Sequence, residues 1–264
     1  MPGLLPTSIK SLVLDMDGVL WKGDAPIGNL PSVFDGIRLR GFKFVFATNN
    51  ATLTPNQYVE RMAGYGVKVE PWQVITSAWG VADLLARKFP FGGPVFAIGG
   101  AGVKEALHDK GFELLSIESA KQALAVIFSF DVEINFEKMR EATLLVRHGV
   151  PFYATNPDIT FPTPRGEIPG AGAWISVIVT ATGVTPIYAG KPSPHLIDLA
   201  CERLGSTKEE TLVVGDRLET DIAGGQAAGC PVALVLSGVS QLEQAENWKP
   251  RINIIARDLA QLLE

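Results

Sequence analysis

The chain has 264 residues, 47% hydrophobic and 19% charged, with a formal net charge of -5. That composition excludes a disordered chain and allows one large or two small domains with a substantial core. The acidic balance argues against nucleic acid as a partner, so an anionic substrate must be met by local positive charge. Cys201 and Cys230 lie in apolar patterns and read as small buried residues in a reducing cytoplasm. No signal-like apolar stretch opens the sequence. Residues 168–190 carry no charge, but they contain Pro169 and Pro186 and only 173–179 are densely apolar, so no membrane span is expected.

The first predicted element is the apolar run 12–14, the pattern of a strand buried on both faces. It stops at Asp15-Met16-Asp17-Gly18. Residues two apart on an extended chain point the same way, and Gly18 lets the backbone turn at once. Two carboxylates at the carboxyl end of such a strand stand where open α/β sheets bind ligands. Their repulsion calls for a cation or a shared proton, which suits Mg²⁺ and also a division into nucleophile and acid/base. An acidic turn after a strand is the plain alternative for this motif by itself. A calcium loop is rejected, because Val13 would fall at a ligand position.

A loop over 21–28 leads to a helix capped by Asn29, with Pro31 in its first turn and Leu30, Val33, Phe34 and Ile37 on one face, stopped by Gly41. A second buried strand, 42–47, runs into Thr48-Asn49-Asn50, and a helix opens at Thr54-Pro55. Hydroxyl, amides and free N–H groups there can bind phosphate, though ordinary turn chemistry uses the same residues. Strand, polar turn and helix repeat, the doubly wound pattern. A third strand follows at 74–76.

Residues 79–184 read as a separate αβ unit, with strands at 95–98, 124–128 and 151–153 and helices at 102–110, 136–148 and 171–182. Gly99-Gly100-Ala101-Gly102 does not complete a dinucleotide fingerprint, because Glu105 stands at the third glycine. Ala154-Thr155-Asn156 echoes Ala47-Thr48-Asn49, but Pro162 and Pro164 follow it, so it reads as a loop. Past Pro186 the doubly wound pattern returns, with a strand at 187–189 ending in Gly190-Lys191-Pro192, a helix at 195–204 and a strand at 211–215 ending in Asp216. Asp221 follows at the start of a Gly/Ala-rich helix; strands at 232–236 and 252–256 complete the set. Lys191 can neutralise a phosphate or be an ordinary surface lysine; Asp216 and Asp221 can complete a metal site or cap elements. Asp15, Thr48, Lys191 and Asp216 each follow a predicted strand directly, which places them on one edge of a parallel sheet. Acids, a hydroxyl and a cation around one crevice match phosphoryl transfer.

With these motifs the chain resembles the haloacid dehalogenase superfamily of phosphatases, and within it the NagD-like, 4-nitrophenylphosphatase-like branch. The matching stretches are Asp15-Met16-Asp17-Gly18-Val19-Leu20, Thr48-Asn49-Asn50, Gly190-Lys191-Pro192-Ser193-Pro194 and Gly215-Asp216-Arg217-Leu218-Glu219-Thr220-Asp221-Ile222, with Ala154-Thr155-Asn156-Pro157-Asp158 in the insert. The resemblance implies a doubly wound, Rossmann-like parallel-sheet core of residues 1–78 and 185–264, with an inserted α/β cap domain of residues 79–184 that closes over the site.

It further implies that Asp15 attacks phosphorus, that Asp17 protonates the leaving oxygen and then activates water, and that Thr48, Asn49 and Asn50 hold the phosphoryl oxygens. Lys191 would neutralise charge. Mg²⁺ would be bound by Asp15, Asp216 and the Asp17 carbonyl, with Asp221 orienting that shell. Arg217 has no assigned role. Asp158, with Phe161, Arg165 and Glu167, would lie in the cap loop facing the substrate. The expected substrate is a small phosphorylated metabolite such as a sugar phosphate, in a cytoplasmic enzyme with no nucleic-acid or membrane partner and a homodimer through the cap. A phosphoryl-transfer mutase and a non-catalytic phosphometabolite-binding module are the alternatives.

Overall fold

The computed structural model describes residues 4–163 and 165–264. In chain order the elements are β1 (Ser11–Leu14), β2 (Trp21–Lys22), β3 (Ala25–Pro26), α1 (Leu30–Leu39), β4 (Lys43–Thr48), α2 (Pro55–Gly64), β5 (Val74–Thr76), α3 (Ser77–Lys88), β6 (Gly93–Ile98), α4 (Ala101–Asp109), β7 (Phe112–Leu114) and β8 (Val126–Phe128). There follow α5 (Phe136–Arg147), β9 (Phe152–Ala154), β10 (Thr160–Thr163), β11 (Gly166–Pro169), α6 (Ala171–Thr182), β12 (Ile187–Tyr188), α7 (His195–Leu204), β13 (Thr211–Gly215), α8 (Ala223–Ala228), β14 (Val232–Val235), α9 (Leu242–Asn247), β15 (Ile254–Ala256) and α10 (Leu259–Leu263). None of the described helices is long and apolar enough to cross a membrane.

The chain divides into two compact units. The first comprises the chain through Thr48, with Pro55–Ile75 and Lys191–Glu264; the second comprises Asn49–Thr54 and Thr76–Gly190. Among the described residues, the first is built on a six-stranded sheet of order β15-β14-β13-β1-β4-β5. The pairings of β1 with β13 and β4, of β13 with β14 and of β14 with β15 are parallel. The strand order reverses beside β1, which makes the ends of β1 and β13 a topological switch point, the place where doubly wound sheets bind ligands. β1 is buried along its whole length, as its uninterrupted apolar run requires. Its Val13 side chain, with Val45 and Val213 of the neighbouring strands, shares a cluster with Leu196, Leu199 and Ala200 of α7. The Asn29 side chain accepts from the Ser32 N–H, and Leu30, Val33, Phe34 and Ile37 are buried, so α1 starts and packs as its pattern predicts. Cys201 and Cys230 are buried and free, with their sulfurs 4.0 Å apart.

The second unit has a five-stranded sheet of order β12-β9-β8-β6-β7. One face packs Phe128, Leu145 and Ile175, and the other packs Val81, Leu85 and Leu107. Gly102 is explained by packing: a Cβ there would meet the Ala51 carbonyl oxygen at 2.3 Å.

Two sequence expectations change here. The sequence pattern places the strand at 187–189 in the first sheet, but β12 pairs in parallel with β9, Ile187 against Tyr153. A two-residue strand carries too little pattern to show which sheet it joins. The cap loop expected to carry Asp158, Phe161, Arg165 and Glu167 contains the antiparallel ribbon of β10 and β11, with Phe161 opposite Ile168. In a two-stranded ribbon both strands are edges, and an edge tolerates the missing proline N–H.

Candidate active site

Asp15 directly follows β1, Thr48 ends β4 and Asp216 directly follows β13, and these three strands are neighbours in the sheet. Leu14 is level with Val214 and with Phe46, and the Asp15 N–H donates to the Val214 carbonyl at 2.9 Å. The register brings Asp15 level with Gly215, one residue before Asp216, and past the end of the ladder the carboxylate oxygens of Asp15 and Asp216 come within 4.8 Å of each other. Lys191 reaches the same place by another route. It follows β12, a strand of the other sheet, and not a strand of this one. Its Nζ nevertheless donates to Asp15 Oδ1 at 2.7 Å, to Asp221 Oδ1 at 2.5 Å and to the Ala47 carbonyl at 2.7 Å.

Asp15, Asp216 and Asp221 each place a carboxylate oxygen within 4.8 Å of the others. All three are buried, as is Lys191. Burial pushes the Asp15 carboxyl well above the usual carboxylate range; the Lys191 ammonium opposes this, and the charges of Asp221 and Asp216 add to it. Asp216 is pushed up to about 6, by burial first and then by Asp221. For Lys191, burial acts downward, but the carboxylates of Asp15 and Asp221 outweigh it and hold its proton more tightly than in free lysine. Three carboxylates thus share one ammonium. The cluster is short of positive charge, and its donors are hard oxygens, so the residues fit a divalent ion such as Mg²⁺.

Backbone geometry shapes the cluster. Gly18 adopts φ +82°, and a Cβ there would lie 2.3 Å from Asp216 Oδ2. A Cβ on Gly238 would lie 1.9 Å from that oxygen. The carboxylate is held between them by the Val239 N–H, which donates to Oδ2 at 2.7 Å. Gly238→Ala is therefore expected to displace Asp216 and lower metal affinity about 10- to 100-fold, the range for disturbing groups that orient a metal ligand. A Mg²⁺ titration of thermal stability checks this. Asp221 is fixed on both oxygens, Oδ1 by Lys191 and Oδ2 by the Arg217 backbone N–H at 3.1 Å. It lies on a π-turn, Leu218–Ile222, that follows Arg217.

The Asp17 side chain stands outside the carboxylate cluster. Its Oδ1 accepts from the Trp21 indole Nε1 at 2.8 Å. Thr48 is buried and shares a hydrogen bond with the Tyr58 hydroxyl. Burial, with the nearby charges of Asp17 and Asp15, raises the Tyr58 phenol well above its ordinary value.

Asn49, Asn50 and Asp158 belong to the second unit. The Asn49 amide donates to Asp158 Oδ2 at 3.2 Å, and the Asn49 carbonyl accepts from Ser77 Oγ at 2.5 Å and from Asn156 Nδ2 at 2.8 Å. The two echoing Ala-Thr-Asn segments thus meet each other. Asn50 Oδ1 accepts from the Thr52 N–H and hydroxyl, a turn role. Phe161 stacks on Phe130 with ring centroids 4.6 Å apart, and Arg165 and Glu167 are exposed. Trp21, Tyr58 and Gly238 were missed from the sequence. Their parts depend on one N–H, one hydroxyl and one missing Cβ, none of which forms a local pattern.

Two family models match the chain, a haloacid dehalogenase-like hydrolase model over residues 12–113 and a HAD-hydrolase-like model over residues 188–262. An acid sugar phosphatase of Staphylococcus aureus is 37% identical over 238 residues, covering 90% of each chain. Among solved structures, a p-nitrophenyl phosphatase from Archaeoglobus fulgidus is similar with a TM-score of 0.90 at 30% identity, covering 97% of this chain and 98% of that one. NagD from E. coli K-12 is similar with a TM-score of 0.88 at 33% identity, covering 96% and 97%. A sheet with acids at its switch point, motifs spread over the whole chain and relatives this near in length and sequence lead to one assignment: the chain belongs to the haloacid dehalogenase-like hydrolases, as a phosphatase of the NagD and p-nitrophenyl phosphatase branch.

Proposed function

We propose that the protein is a Mg²⁺-dependent phosphatase that hydrolyses small phosphate monoesters, sugar phosphates among them, through an aspartyl-phosphate on Asp15. The observation that carries this reading is the buried Asp15 at the end of β1, with Lys191 at 2.7 Å and two further carboxylates beside it. A carboxylate raised by burial and poorly solvated is a competent nucleophile once its charge is balanced. Asp15 attacks phosphorus, and Asp17 gives a proton to the departing ester oxygen. Asp17 then removes a proton from water, which attacks the aspartyl-phosphate and releases phosphate. Lys191 holds the Asp15 carboxylate in place and offers positive charge to the phosphoryl oxygens. The Thr48 hydroxyl, fixed by Tyr58, donates to the same group. Asp15, Asp216 and the Asp17 carbonyl would hold Mg²⁺, with Asp221 behind them, and the ion supplies charge neutralisation for the transferring group. The proton donor at Asp17 favours ester hydrolysis over dehalogenation, because a halide leaves without one.

The name of the Staphylococcus aureus relative supports sugar phosphates as the substrate class. The test is phosphate release from a panel of sugar, glycerol, nucleoside and 4-nitrophenyl phosphates, with and without Mg²⁺. Metal-dependent release that ranks sugar phosphates first is expected. Absence of release from every ester would redirect the reading to phosphoryl transfer or to a binding role.

A further inference from the structure

We infer that Trp21 is a positioning residue for the acid/base Asp17, acting through its indole N–H; this rests on the reading above. The hairpin β2–β3 begins at Trp21, and both the backbone and the side chain of Trp21 return to the acidic turn. The Gly18 N–H donates to the Trp21 carbonyl at 2.8 Å, while the indole Nε1–H donates to Asp17 Oδ1 at 2.8 Å. The ring itself is locked. It is fully buried, stacks with Tyr58 at 6.5 Å and 12°, and meets Tyr65 at 5.8 Å. The Arg61 guanidinium lies 4.2 Å from the ring centroid, and Arg61 also donates to the Gly23 carbonyl in the hairpin turn. The Tyr65 hydroxyl donates to the Asp24 carbonyl at 2.9 Å, so α2 and the residue after it pin the hairpin from one side. A group held on this many sides keeps one rotamer, which is what a catalytic acid needs from its support.

The chemistry of the indole gives the contact a direction. Indole N–H is a donor only and cannot take a proton from Asp17. It holds Oδ1 as an acceptor, which leaves Oδ2 as the oxygen that carries the proton. In the first half-reaction a bond forms between an Asp15 oxygen and phosphorus, the ester P–O bond breaks, and the proton on Asp17 Oδ2 passes to the departing oxygen to give the alcohol. In the second, the same oxygen takes a proton from water as the aspartyl-phosphate is cleaved.

The demand for that proton depends on the leaving group. A sugar alkoxide is too basic to depart unprotonated, whereas 4-nitrophenolate departs as an anion. The comparison is made on kcat/KM, which reports the steps through departure of the alcohol and excludes the later water step common to both esters. Trp21→Phe, which keeps an aromatic ring and removes the N–H, is expected to lower kcat/KM for a sugar phosphate roughly 10- to 100-fold and for 4-nitrophenyl phosphate by no more than about threefold, since a positioned acid supplies some 10²- to 10⁴-fold. In an Asp17→Asn background the same change should add little. Equal losses on both esters, or no loss on either, overturn the inference. A wild-type protein that hydrolyses neither ester removes the phosphatase reading and this inference with it. The contact itself is read separately, without activity, by nuclear magnetic resonance. The assigned Trp21 indole N–H signal should move upfield in Asp17→Ala, and an unmoved signal overturns the contact even if Trp21→Phe does not fold.

Discussion

Asp15→Asn is expected to abolish phosphate release, by roughly 10⁴-fold or more, as removal of a catalytic nucleophile does, while leaving the fold at least as stable. The two effects have one cause. Asp15 is buried with two other carboxylates and a single ammonium, and its carboxyl is raised well above the ordinary range, by burial first. A carboxyl whose folded pKa is raised disfavours the folded state once it ionises. Its contribution is fully favourable below the unfolded pKa of about 3.9 and is lost as pH rises through the folded value. Asparagine is never charged, and its amide oxygen can still accept from Lys191. In metal-free buffer the variant should therefore melt above the wild type at neutral pH, with the difference shrinking as the pH is lowered towards 4. Thermal melts across that window check it. A variant that is less stable at every pH would mean that the Lys191 pairing outweighs the burial of Asp15.

Lys191→Met is expected to lose both activity and stability. Methionine matches the length of lysine but leaves Asp15 and Asp221 without the ammonium that each contacts, and leaves the Ala47 carbonyl without its donor. Breaking a buried pair from one side costs about 3–5 kcal/mol, because the remaining charge stays buried. Protonation of Asp15 or Asp216 limits the loss, so it should be smaller at acidic pH. Loss of preorganised positive charge at the phosphoryl group should lower kcat about 10²- to 10³-fold. Mg²⁺ should restore more stability to the variant than to the wild type, since an ion that binds only the folded form stabilises it by mass action and here also relieves an unbalanced cluster. Urea unfolding with and without Mg²⁺ measures both terms. Unchanged stability would contradict the charge balance described for the site.

The core of this site was legible because its residues stand at the ends of recognisable elements. The run 12–14 reads as a buried strand, and Asp15 must follow it; the same holds for Asp216 after β13 and Thr48 at the end of β4. Lys191 was recognised for a reason that proved incomplete. Its neighbouring strand belongs to the other sheet, and its place beside Asp15 comes from a contact between residues 176 apart in sequence. No local pattern encodes such a contact. The ribbon β10–β11 was hidden by prolines that an edge strand tolerates. Gly238 was unreadable for a different reason, because what it contributes is empty space beside Asp216.

The pairing of Ser11 with Thr211 carries a consequence for how the molecule comes to be made. As the chain emerges from the ribosome, β1 can find β4 within a few tens of residues, but its other edge stays bare until the segment containing β13 has been synthesised. The second unit, drawn almost entirely from the stretch Thr76–Gly190, has its strands available well before then. Closing so long a loop adds only slowly to the entropic cost, as the logarithm of its length, yet pairing across it is slow and leaves an apolar edge exposed meanwhile. Asp15 is translated some 200 residues ahead of Asp216, and it meets Asp216 only when β13 docks beside β1. The carboxylate cluster is thus completed late in folding, and a chain stalled before residue 211 carries Asp15 without Asp216 and Asp221.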